Sequence, residues 1–172
     1  MTINEWSDAT AMAKSVQNKT VSPRELVEAT IREAERTNPK INAIVSQRYE
    51  KALVEAETKD FSDKPFAGVP IFLKDLGQDQ AGEPSTAGSR LFTDFRPKET
   101  DNYVKKLEDL GFLILGRTNT PEFGFKNISD AKIHGSVNLP DDVTRNAGGS
   151  SGGAAALVSS GISPLAPASD GG

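Results

Sequence analysis

At 172 residues the chain is long enough for one domain with its own core, or for part of a larger one. It has no cysteine and one histidine, His134, which excludes disulfides, thiolate nucleophiles, Cys-ligated metals and His-cluster sites. Catalysis then falls to Ser, Lys or carboxylates; a formal net charge of -4 gives no basic excess to steer the chain toward nucleic acid or anionic lipid, so neither is expected as a partner.

The N-terminal stretch MTINEWSDATAMAKSVQNK lacks a basic segment followed by an apolar run, and no stretch approaches the length of a membrane span. The default reading is a soluble cytoplasmic protein. Ser7 or Asp8 caps a first helix to about Asn18. A second helix is marked more clearly, with Ser22 at the N-cap, Pro23 in the first helical position and Glu25 completing a capping box. Leu26, Val27, Ile31 and Ala34 then give it one apolar face, and Asn38-Pro39 is expected to stop it. INAIV (Ile41 to Val45) reads as a short strand, and Tyr49 to Lys59 as an amphipathic helix with Ala52 and Ala56 along it.

GVPIFLKD follows, a buried-type strand from Val69 to Leu73, opened by a glycine and ending on Lys74. Asp101 is expected to cap another helix, with Val104 and Leu107 inward and Gly111 as its stop. FLILG (Phe112 to Gly116) is a strongly apolar strand, and GRTNTPEFG a polar loop leaving it. Strand, helix, strand at this spacing predicts βαβ units and a sheet covered on both faces, with no internal repeat and no linker-like boundary.

Lys74 has two readings. Either it snorkels to solvent or pairs with adjacent Asp75, or it sits desolvated in a closed site as a neutral amine able to act as a base. The run GGSSGG (Gly148 to Gly153) sets two hydroxyls among residues that tolerate unusual backbone angles and close approach, and it opens a small-residue helix. A phosphate cradle at that helix N-terminus is the rival reading, without a Walker or G-x-G-x-x-G pattern to support it, and a plain linker is a third. SDGG (Ser169 to Gly172) is either a turn or a set of backbone N–H groups aimed at an oxyanion, with Asp170 orienting it.

Taken in order, GVPIFLKD, TAGS (Thr86 to Ser89), LGRTNTPEFG, GGSSGGAAA and SDGG resemble the amidase signature family, and the resemblance runs through essentially the whole chain. It implies an α/β fold, part of an α/β/α sandwich around a mixed, mostly parallel twisted sheet with an N-terminal helical segment. It also implies amide hydrolysis by a Ser–Ser–Lys triad through an acyl-enzyme, acting on a small-molecule amide without metal or cofactor. Carried over by motif, Lys74 is the triad base and Ser150 the bridging serine, held by a cis peptide after Gly149. Gly171 and Gly172 begin the oxyanion hole, Gly124 makes a backbone contact to substrate alongside Ser150, and Ser151 and Asp170 are supports.

The family pattern continues beyond SDGG with a glycine and then the nucleophilic serine, so residues 1–172 are expected to be the N-terminal portion of a single domain. Residues 1–60 would be its mainly helical segment and 61–172 the first part of its catalytic core. The expected partner is the remainder of the same polypeptide, with self-association of the isolated chain through uncovered faces of VPIFL and FLILG. One departure from the family is VNLPDD (Val137 to Asp142), where an Asn-Pro pair is usual. Two other readings stay open: the glutamine-hydrolysing amidase subunit of a tRNA-dependent amidotransferase, and a non-catalytic interaction module binding through a sheet edge.

Overall fold

The computed structural model describes residues 8–170. Helix α1 (Ala9–Gln17) starts at Asp8, whose carboxylate accepts from the Ala11 N–H at 2.7 Å; the alternative cap, Ser7, lies outside the described residues. Helix α2 (Pro23–Ile41) carries the expected capping box, with Ser22 and Glu25 each bonding the other's backbone. It does not stop at Asn38-Pro39. The proline sits in the last turn, where its ring removes only one helical bond. What holds that turn is tertiary: Ile41 is buried, the Asn38 side chain bonds both backbone groups of Ile44, and left-handed Asn42 donates from Nδ2 to the carbonyls of His134 and Ser136. The expected strand accordingly moves along the chain, and β1 spans Ile44–Gln47.

Helix α3 (Tyr49–Thr58) buries Ala52 and Ala56, and β2 (Pro70–Lys74) is buried throughout. Between β2 and α4 (Asn102–Asp109) the chain has only a short 3-10 turn at Arg90–Phe92. Asp101 stands at the N-cap of α4, but its carboxylate accepts from the Asp79 N–H at 2.8 Å and not from its own helix. Strand β3 (Leu113–Thr118) runs past Gly116 into the stretch expected to be loop, and Asn119 and Thr120 beyond it are also buried. Helix α5 (Gly152–Ser159) opens out of GGSSGG.

The three strands form one sheet in the order β1-β3-β2. β2 lies parallel to β3 and β1 antiparallel to it, so the sheet is mixed and not mostly parallel. Helices cover both faces, giving the α/β sandwich. Side chains alternate across a strand, and the two clusters follow that alternation. Phe72, Leu113 and Leu115 pack with α2, α3 and α5 through Val27, Ala34, Ala52, Ala56 and Leu157. Ile71, Leu73 and Ile114 pack with α1 and α4 through Met12, Val104 and Leu107.

Both apolar strands are therefore covered, at 0–1% exposure for Val69, Ile71, Phe72 and Leu73 and 0–4% from Phe112 to Leu115. The expectation of uncovered faces there is overturned, because helices on either side close over them. Apolar exposure is concentrated elsewhere, at Leu91, Phe95 and Phe125 among others. Among the described residues no helix is long and apolar enough to cross a membrane.

Candidate active site

Lys74 closes β2 with the same facing as Phe72, toward the side that α5 covers. Its backbone is fixed first. Lys74 stands opposite Thr118 in the parallel register, its N–H donates to Gln78 Oε1 at 2.7 Å, and its carbonyl accepts from the Arg117 guanidinium at 3.1 Å. The side chain has no exposed surface, and Nζ lies 2.8 Å from Ser150 Oγ and 2.9 Å from Ser169 Oγ. Burial pushes the amine below the ordinary lysine range, and the Asp170 carboxylate opposes that shift.

Asp75, one residue on, faces the other way. Its carboxylate accepts from the Thr86 N–H at 2.9 Å and from the Thr86 hydroxyl, and it lies 3.5 Å from His134 Nε2. Lys74 thus neither reaches solvent nor pairs with Asp75, because consecutive strand residues point to opposite faces. TAGS earns its place here as the partner of that buried carboxylate.

The GGSSGG run is not a linker. The Gly149–Ser150 peptide is cis, as the resemblance implies, and Gly152 and Gly153 are buried. Gly153 is small for a reason: a Cβ there would come within 2.4 Å of Asn119 N and 2.8 Å of the Ala43 carbonyl. The first amides of α5 are already taken, Gly152 N–H by Ser129 Oγ at 3.1 Å and Gly153 N–H by the Asn119 carbonyl at 3.1 Å. A phosphate cradle would need those donors free, so that reading falls.

Ser151 reaches across to the last described turn, where its hydroxyl donates to the Ser169 carbonyl and accepts from the Ser169 N–H, both at 3.2 Å. A cavity of about 520 Å³ opens beside Ser150, lined among others by Leu76, Phe123, Gly124, Ser169 and Asp170. Gly124 adopts φ +72, and a Cβ there would strike Leu76 Cδ2 at 2.7 Å, so this point of the cavity wall calls for glycine; its N–H donates to the Pro121 carbonyl at 2.9 Å. Gly171 and Gly172 lie outside the described residues. Among the described residues no cluster of three His, Asp or Glu side chains is placed to hold a metal ion.

Lys74, Ser150, Ser151, Gly124 and Asp170 thus meet at one site. Sequence reasoning missed three further contributors. Ser169 entered it only as the start of a turn, Thr120 only as part of LGRTNTPEFG with no role of its own, and Ser129 not at all, though the hydroxyls of Thr120 and Ser129 both donate to the Ser150 carbonyl, at 3.0 and 3.4 Å. A serine on an irregular loop carries no periodic signal, so only the folded chain reveals them. VNLPDD departs from the family pattern yet delivers the chain cleanly, since Asn138 pairs with Asn146 and Val137 O accepts from Ala147 N–H just before the glycines.

A family model described as Amidase matches residues 25–172. The lipoamidase of Enterococcus faecalis is 43% identical over 170 residues, covering 98% of this chain and 23% of that protein. Among solved structures, a 6-aminohexanoate cyclic dimer hydrolase superposes with a TM-score of 0.90 at 37% identity, covering 96% of this chain and 34% of the other. A bacterial aryl acylamidase described as belonging to the amidase signature enzymes gives a TM-score of 0.87 at 38% identity, over 94% of this chain and 35% of its own. The chain spans about a third or less of the length of each. With motif order, sheet and matched span in agreement, the chain belongs to the amidase family.

Proposed function

We propose that residues 1–172 are the N-terminal portion of one amidase domain, 1–60 its mainly helical segment and 61–172 the first part of the catalytic core. The whole polypeptide would hydrolyse a small-molecule carboxamide to acid and ammonia or amine, without a cofactor. The observation that carries this reading is the 2.8 Å contact between the buried amine of Lys74 and Ser150 Oγ.

A neutral amine has two N–H groups and one lone pair. Ser169 offers acceptors for the N–H groups, its hydroxyl at 2.9 Å and its carbonyl at 3.5 Å, which leaves the lone pair for the Ser150 proton. Ser150 in turn would take the proton of the nucleophilic serine that the family pattern sets just beyond Gly172. Attack on the carbonyl carbon then gives a tetrahedral oxyanion, held by amides of the SDGG turn. The relayed proton returns to the leaving nitrogen as the C–N bond breaks, and water repeats the path to release the acid.

Ammonia release from a panel of amides, glutamine included, tests this on the full-length gene product. Lys74→Ala and Ser150→Ala should each abolish most turnover with the fold intact, and Lys74→Arg should fail as well, because a guanidinium does not deprotonate at working pH. Near-normal rates in Lys74→Ala would refute the assignment of the base. Release from glutamine alone would move the reading to an ammonia-donating subunit, and no release from any amide to a binding module.

A further inference from the structure

Ser129 is fully buried and belongs to none of the motifs that point to amide chemistry. It lies on the loop between β3 and α5, and it engages the GGSSGG turn along its length. Its N–H donates to the Gly148 carbonyl at 2.8 Å, and its hydroxyl donates to the Ser150 carbonyl and accepts from the Gly152 N–H. The backbone of Ile128 and Ser129 stands directly behind Gly149, where a Cβ would come within 3.0 Å of Ile128 N. Thr120, also fully buried, adds a second hydroxyl on the same Ser150 carbonyl at 3.0 Å.

Thr120 lies just beyond the end of β3, the strand that also holds Lys74 opposite Thr118. The strand and the residues just beyond it therefore bear on both sides of the amine–hydroxyl contact. The backbone of Lys74 is set by the parallel ladder, and the carbonyl of Ser150 is held by the Thr120 hydroxyl two residues past the strand's end, with Ser129 adding a second hydroxyl from the loop. We propose that Thr120 and Ser129 are positioning residues of the Lys74–Ser150 pair, aligning Ser150 Oγ on the amine through its own carbonyl. The inference rests on the amidase reading for its kinetic readout, though not for its spectroscopic one.

The test uses Ser129→Ala, Thr120→Val and Thr120→Ser in the full-length polypeptide. Misplacing a reacting group by an ångström costs about a hundredfold in rate, so Thr120→Val and Ser129→Ala should lose about that much in kcat. KM should stay within about twofold, the pattern of a lost transition-state interaction. Thr120→Ser restores the hydroxyl and should recover most of the loss. Separately, the Lys74 amine is titrated by NMR with 13Cε-labelled lysine, its resonance assigned by Lys74→Gln. Release of Ser150 admits water, so Thr120→Val should move that titration upward, toward the ordinary lysine range.

An unchanged titration and kcat in folded Thr120→Val would overturn the proposal, as would equal effects of Val and Ser at that position. Should Ser129→Ala fail to fold, the near-isosteric Thr120→Val decides alone. If the wild-type polypeptide hydrolyses no amide, the amidase reading fails, and the lysine titration, which needs no turnover, still settles the positioning role.

Discussion

Lys74 ends a buried strand with its amine between two serine hydroxyls, and those hydroxyls replace only part of the hydration an ammonium loses. Its folded-state titration therefore lies below the ordinary lysine value, the Asp170 carboxylate limiting the shift. In the window between the two values the unfolded chain binds a proton that the folded chain does not. Stability should then rise with pH through that window and fall as pH drops back through it. Melting temperature measured against pH should show this slope, and Lys74→Met should flatten it; equal slopes would mean that the amine keeps its proton when folded. At the residue scale Lys74, Ser150 and Ser151 were legible only through the ordered set of motifs, since strand context alone left Lys74 open between solvent and a closed site and its partner Ser150 is distant in sequence. The sequence was silent where the partner came from an irregular loop: nothing local in KNISDAKIHGS distinguishes Ser129 from any surface serine.

Elements followed the same logic. The start of α2 was readable because a capping box is a three-residue event, whereas its end was not, because Ile41, Asn38 and Asn42 hold the last turn through contacts distant in sequence. TNT after FLILGR reads as loop by polarity, yet Asn119 and Thr120 are buried because their backbone and side-chain groups bond α5 and the segment around residue 42. Helix α5 is the element on which the site leans most heavily. Its first turn touches backbone directly, so Gly153→Ala forces a Cβ against Asn119 and Ala43. Overpacking of this kind costs about 1–3 kcal/mol, and the expected outcome is a lower melting temperature together with lost turnover as Ser150 is pushed off Lys74. A melt within error of wild type would show that α5 can retreat from β3 at no cost.

Considered whole, the molecule covers its core strands, while a run of rings, Phe95–Phe92–Phe123–Phe125, leads from the exposed Phe95 to the exposed Phe125 at the cavity wall. Exposed apolar surface of this kind marks association sites. On the proposed reading, which sets the nucleophilic serine beyond Gly172, residues 1–172 in isolation are expected to release no ammonia from amides and to self-associate through this patch. Light scattering against concentration checks it: Phe125→Ser should reduce association, and a monomer at all concentrations would show that the patch is tolerated by water. The alternation along β2 has one more consequence. Phe72 and Lys74 look toward α5 while Leu73 and Asp75 look away, so the acid–base character of the cavity is encoded as a phase. Deleting a single residue between Gly68 and Lys74 would leave composition almost untouched and yet bring Asp75 to the place of Lys74, turning a carboxylate toward Ser150 in place of the amine. A proton acceptor built from a lysine would become an anion facing a hydroxyl, and the site would change sign without losing any of its parts.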